Sequence, residues 1–121
     1  SEEGLKKAIV KIEEVKKEFW SNVRIPGDNS SLNMELEKAL RLADFIETGE
    51  LIAHDALNRE ESCGGHFRTE YQTEDGEALR NDDEFAYVSC WEYTGENSAP
   101  VMYKEPLDYE FVVRQQRNYK S

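Results

Sequence analysis

The sequence is short of apolar runs: no stretch approaches the ~20 residues that a membrane-spanning helix requires, and nothing in its opening residues reads as a secretion signal. Its two cysteines, Cys63 and Cys90, are too few for a disulfide framework and favour a reducing, cytosolic setting. Basic residues are in deficit, with 15 Lys and Arg against 26 Asp and Glu and a net charge of -11. That deficit argues against nucleic acid, whose phosphates call for a Lys/Arg surplus, and equally against an anionic membrane surface. There is no internal repeat and no glycine-rich phosphate loop of either the Gly-x-Gly-x-x-Gly or the Walker type. At 121 residues the chain suffices for one ordinary domain, not two.

What is present begins with two helical patterns. From about Glu2 to Trp20, apolar residues fall at Leu5, Ala8, Ile9, Ile12, Val15, Phe19 and Trp20, the i, i+3, i+4 stripe of an amphipathic helix. Glu3/Lys7 and Glu13/Lys17 are placed to pair at i, i+4 on the other face. Pro26 to Ser31 is turn chemistry, with Val23 and Ile25 expected to pin the connector to the core. A second helix is expected from about Asn33, a candidate N-cap, to Glu60. Leu36, Leu40, Ala43, Ile46, Ala53 and Leu57 mark one of its faces. Ala39, Leu42, Phe45, Ile52 and Ala56 widen that face until the helix needs neighbours on more than one side. Gly49, in mid-pattern, permits a kink or a close helix crossing.

The adjacent pair Gly64 and Gly65 is expected to end that helix. Beyond it, Thr69 to Glu84 is polar. Phe85 to Tyr93 then alternates, with Phe85, Tyr87, Trp91 and Tyr93 on one face, and reads as a strand that packs on the helices. Thr94 to Pro100 is a hairpin loop, and Val101 to Lys104 returns as the second strand, stopped or placed at an edge by Pro106. Leu107, Tyr109, Phe111 and Val113 alternate again and predict a third extended segment ahead of a polar tail. The fold class expected is mainly α with a small β part. A long antiparallel helical hairpin occupies residues 1–62; a loop, a β-hairpin and an extended tail occupy 63–121.

The run Glu61-Ser62-Cys63-Gly64-Gly65-His66-Phe67-Arg68 concentrates polar groups at the expected helix exit. As a metal site it offers one Cys-x-x-His without a second half, and His54 and Cys90 do not complete the paired spacings of structural zinc. As a nucleophile, Cys63 faces the unfavourable dipole of a helix C-terminus. The Asp82/Asp83 pair reads as a solvated loop, and Asn29-Ser30-Ser31 matches a glycosylation acceptor without meaning in a cytosolic chain. No self-contained active site emerges from these residues.

The run from Ala56 to Arg68, Ala-Leu-Asn-Arg-Glu-Glu-Ser-Cys-Gly-Gly-His-Phe-Arg, resembles a signature of the succinate dehydrogenase/fumarate reductase flavoprotein subunits. Those subunits usually read Ala-Leu-x-Arg-x-Glu-Ser-Arg-Gly-Ala-His-x-Arg. Arg80-Asn81-Asp82-Asp83-Glu84-Phe85 is similar to their Arg-Asp-Asp-x-x-Phe, Tyr103 to Leu107 to their Lys-x-Pro-Leu, and Arg117-Asn118-Tyr119 to their Arg-x-Tyr. Asn33-x-Glu35-Leu36 matches their helix start. Cys63 stands where the family usually has Arg, and Gly65 where it has Ala; the first change removes a guanidinium able to hold a carboxylate bidentately.

The resemblance implies a C-terminal domain of a bacterial subunit of this kind, with Ser1 an expression scar. The parent would carry FAD and interconvert succinate and fumarate. The FAD domain, the dicarboxylate-capping domain and the catalytic arginine and histidine would lie upstream, so no catalytic, cofactor-binding or metal-binding residue is expected here. Glu61, Ser62, Gly64, Gly65, His66, Arg68 and Arg80 become candidate signature and interface residues. The implied partners are the flavin-binding domain of the same subunit and an iron–sulfur subunit, in a complex at the cytoplasmic face of the inner membrane. The family's helical domain is a three-helix bundle, so its first helix is expected upstream, leaving an apolar patch and a tendency to self-associate. Two other readings are a stand-alone acidic interaction module and the same domain of an L-aspartate oxidase-type enzyme.

Overall fold

The computed structural model of the chain describes residues 1–28, 30–95 and 98–116. It is mainly helical with one two-stranded antiparallel sheet, and it divides into two compact units, Ser1–Asn58 and Arg59–Ser121.

In the first unit, α1 spans Glu2–Asn22 and α2 spans Met34–Asn58. Ser1 caps α1: its hydroxyl accepts from the Gly4 amide at 3.2 Å, satisfying one of the orphan N–H groups of a helix start. Lys7 pairs with Glu3 as the spacing predicts, and Lys6 with Glu2. The other expected pair does not form; Lys11 instead reaches Glu14 at 2.9 Å. Leu5, Ala8, Ile9, Ile12 and Phe19 are half-buried on the side of α1 that meets α2, whose Ala43 and Ala53 are buried. Lys16 and Glu50 close the hairpin with a 2.7 Å ion pair. The connector is held by its own cap. The Asn33 side-chain oxygen accepts from the amides of Glu35 and Leu36, both at 3.1 Å, while its Nδ2 donates to the Pro26 carbonyl at 3.0 Å. Gly27 turns the chain at φ +104, and a Cβ there would meet Asn33 Nδ2 at 2.8 Å, so only glycine fits.

α2 is one continuous helix through Gly49, but it stops at Asn58 and not at Glu60. Asn58 turns its own amide back onto the His54 carbonyl at 3.2 Å, occupying a terminal acceptor. The glycine pair therefore lies outside the helix and does not end it. Cys63 and His66 exchange both backbone hydrogen bonds, at 2.9 and 3.0 Å, across Gly64-Gly65. Gly64 sits at φ +59 in the first central position, as a type II′ hairpin turn demands.

In the second unit, α3 is a single turn, Asp82–Phe85, followed by β1 (Tyr87–Glu92) and β2 (Val101–Pro106). The strands pair antiparallel from Tyr87↔Pro106 to Glu92↔Val101. Three expectations are corrected here. Phe85 belongs to the helical turn rather than the strand. Tyr93 lies past the last strand pair and is 72% exposed. The segment from Leu107 to Val113 forms no strand, and Phe111 and Val113 are exposed. Tyr87, the buried aromatic of the unit, is covered from within that unit: the Arg59 guanidinium lies 4.9 Å and Lys104 Nζ 4.5 Å from its ring centre, with the Phe85 ring at 5.9 Å. Among the described residues no helix is long and apolar enough to cross a membrane.

Candidate functional site

The signature run is the hub of the second unit's polar framework. Glu61 is only 3% exposed. One of its carboxylate oxygens accepts from Arg59 at 2.8 Å and the other from the Asn81 amide at 2.9 Å. Arg59 donates further to the carbonyls of Phe85 at 3.1 Å and Tyr87 at 2.9 Å, so one guanidinium ties the start of the unit to the entrance of β1. Ser62 is fully buried. Its amide donates to Leu79 O at 2.8 Å, and its hydroxyl accepts from the Arg68 amide at 2.8 Å and donates to the Arg68 carbonyl at 3.1 Å. Glu61 and Ser62 thus stitch together three segments that are distant in sequence.

His66 faces the Arg59 carbonyl through Nε2 at 3.0 Å; the acceptor fixes the tautomer, with Nε2 carrying the proton. Arg68 is 2% exposed, its Nε bonded to Glu70 at 3.2 Å and its guanidinium 5.3 Å from the Tyr71 ring centre. Arg80 grips Asp82 with two donors and reaches the Gln115 carbonyl at 2.9 Å with a third. The hydrogen bond to Asp82, helped by its charge, raises the Arg80 pKa above its ordinary value against the opposing cost of burial. Reciprocally, the hydrogen bond from Arg80 holds the Asp82 carboxyl below the ordinary carboxylate value. Asp82 is therefore an anchored partner, and its carbonyl also receives Arg114 at 3.0 Å. This corrects its reading as a solvated loop residue. Gly64, Gly65 and Cys63 are exposed in the turn.

The structure thus brings Glu61, Ser62, His66 and Arg68 into one bonded set, with Arg80 reaching it through the 79–82 backbone. It also adds Arg59 and Arg114, which sequence reasoning passed over, and Asp82, which it placed in a solvated loop. Arg59 stood within the quoted signature, but its partners lie 26 and 28 residues away. Arg117-Asn118-Tyr119 lies outside the described residues. Among the described residues every buried side-chain N or O atom has a hydrogen-bond partner, and no three His, Cys, Asp or Glu side chains gather as metal ligands. These bonds tie backbone segments of the unit together.

The sequence matches a known family. The family described as Fumarate reductase flavoprotein C-term matches residues 1–119. The chain belongs to it. Its relatives include fumarate reductase flavoprotein subunits of Haemophilus influenzae, 28% identical over 86% of this chain, and of a Serratia species, 28% identical over 85%. An uncharacterised FAD-dependent oxidoreductase of Methanocaldococcus jannaschii is 32% identical over 59% of the chain. The chain spans 16% of the length of each of the first two and 12% of the third.

The described residues do not fit a flavin. A pyrophosphate is held by a glycine-rich turn at a helix N-terminus, whereas Gly64-Gly65 turns between Cys63 and His66 without opening a helix. One shallow groove is lined mostly by apolar side chains, Ile12, Val15, Phe45 and Ile46 with Lys11 and Gly49, and another flanks the start of α2, where the Asn33 side chain is taken up by the helix cap and the Pro26 carbonyl.

Proposed function

We propose that the chain is the C-terminal accessory domain of a succinate dehydrogenase/fumarate reductase flavoprotein subunit. FAD in the preceding part of that subunit exchanges two electrons with the succinate–fumarate couple and passes them to an iron–sulfur subunit at the cytoplasmic face of the membrane. The domain's task is to pack against the flavin-binding domain and to contribute to the docking face for the partner. The observation that carries this reading is the family match across residues 1–119, joined to a signature whose buried polar atoms are all internally bonded. Residues with that bonding act as a framework: Glu61, Ser62, His66, Arg68 and Arg80 hold the loop, and the Gly64-Gly65 turn is presented outward.

The test mixes the 121-residue chain with FAD, succinate and fumarate, and follows flavin absorbance and turnover. No flavin retention and no turnover are expected. Tight FAD binding or turnover by this chain alone would sink the assignment.

A further inference from the structure

The segment 78–82 is bonded along both of its edges. On one edge it meets the signature run. The Leu79 carbonyl accepts from the Ser62 amide at 2.8 Å, and the Asn81 amide donates to Glu61 at 2.9 Å. On the other edge it meets residues 114–116. The Asp82 carbonyl accepts from Arg114 at 3.0 Å, Arg80 donates to the Gln115 carbonyl at 2.9 Å, and the Ala78 carbonyl accepts from the Gln116 side chain at 2.5 Å. Odd-numbered residues of the segment therefore serve the signature and even-numbered ones the C-terminal side. That is the alternation of extended backbone, whose successive residues turn opposite ways.

The second edge has an order of its own. From Arg114 through Gln115 to Gln116 the partners run backward, from Asp82 through Arg80 to Ala78. This is the order of an antiparallel strand pair, with side chains reaching across where a ladder has backbone on both sides. Arg114 and Gln116 lie two apart and so share one side of an extended chain. Leu107 is tied down at the other end, its amide donating to the Ala86 carbonyl at 2.9 Å. Residues 107–116 thus form a strap fastened at both ends. Between the fastenings Phe111 and Val113 are 88% and 84% exposed, so the middle of the strap adds little apolar burial to hold it down. The fastening bonds to Asp82, Gln115 and Ala78 are exposed as well, whereas Ser62 and Glu61 on the opposite edge are buried. Exposed bonds open at lower free energy than buried ones, and the strap is the side that yields first.

We propose that residues 107–116 act as a releasable strap. Closed on 78–82, it holds Leu79 and Asn81 where Ser62 and Glu61 bond them; open, it loosens the signature run from across that segment. The coupling is reciprocal, so whatever steadies the signature run closes the strap by the same free energy. The proposal rests on bonds within the second unit and does not depend on the enzymatic reading above.

The test uses the full 121-residue chain, labelled with nitrogen-15. Backbone order parameters at Val113 and Gln115 are expected near the ~0.85 of rigid backbone in the parent and below about 0.6 in Arg114→Ala. Hydrogen exchange then reads the far edge. Arg114→Ala and Gln116→Ala should each quicken exchange of the Ser62 and Asn81 amides about three- to tenfold, the loss of one exposed hydrogen bond. Amides of the β1–β2 ladder and of α2 should keep the parent rates. Arg114→Lys can still donate to the Asp82 carbonyl and should recover part of the protection. Phe111→Ser alters the strap without touching a fastening bond and should leave every rate unchanged. Low order parameters in the parent would mean that the strap does not close, which overturns the proposal. Parent-like Ser62 and Asn81 rates in both alanine variants overturn the coupling. Ladder amides quickened by the same factor overturn it too, because they mark a general loss of stability.

Discussion

The Arg59–Glu61 pair is the residue-scale feature on which most depends. The carboxylate of Glu61 is buried at 3% exposure and the Arg59 side chain is 18% exposed, so removing one partner strands the other with little water to replace it. Arg59→Ala should destabilise the second unit by about 3 kcal/mol, the range for breaking a buried pair. Arg59→Lys should recover only part of this, because one ammonium cannot span a carboxylate and two carbonyls. Urea unfolding followed through Trp91, in a Trp20→Phe background, measures both. The Arg80–Asp82 contact has a pH signature of its own. Its folded-state carboxyl pKa lies below the ordinary value of 3.8, so the stabilisation is complete above that value. It is lost as pH falls through the lower folded one. The melting temperature of Asp82→Asn should fall below that of the parent chain at neutral pH, and the gap should close in acid. A gap that persists undiminished in strong acid would mean that Asp82 acts through shape and not charge.

At the scale of elements, backbone conformation decides more than side-chain type. Gly64 sits at φ +59, whereas Gly65 is at negative φ and has open space where a Cβ would go. Gly64→Ala should therefore cost about 1–2 kcal/mol, and Gly65→Ala close to nothing, by thermal melting of the two variants. Asn33→Ala should cost about 1 kcal/mol through loss of the α2 cap. These elements also show what can be read from a sequence. The α1 and α2 stripes, the Asn33 cap and the β1–β2 hairpin were legible because each is set by neighbours within a few residues. The end of α2 was not. A glycine pair signals a helix cap as readily as a hairpin turn, and the choice rests on the Arg59 guanidinium binding the carbonyls of Phe85 and Tyr87, contacts that have no local pattern. The Leu107–Val113 alternation misled for the converse reason. Its local pattern is that of a strand, but a strand forms only by pairing along its length, and Leu107 makes a single ladder-like bond, to the Ala86 carbonyl at 2.9 Å. Among the site residues, the Glu61–Arg68 run was visible as a cluster of polar groups, while its role as a framework appeared only with the bonds to Asn81 and Leu79.

At the scale of the whole molecule, charge is the governing quantity. A net charge of -11 is self-repelling within one copy and between two, while few large apolar side chains are buried to oppose it. Local pairs such as Lys6–Glu2 and Lys7–Glu3 are exposed and contribute little. Added salt shortens the range of the net repulsion to a few ångströms and weakens these exposed pairs only modestly in energy. The repulsive term, with 26 acids against 15 bases, is the larger. Raising sodium chloride at neutral pH should therefore raise the melting temperature and tighten self-association together. The same salt step near the isoelectric point of about 4.6 should do neither, because the net charge to be screened has vanished. Melting curves and sedimentation at low and high salt, at both pH values, make the comparison. If salt instead lowered stability at neutral pH, specific ion pairs would outweigh the net charge.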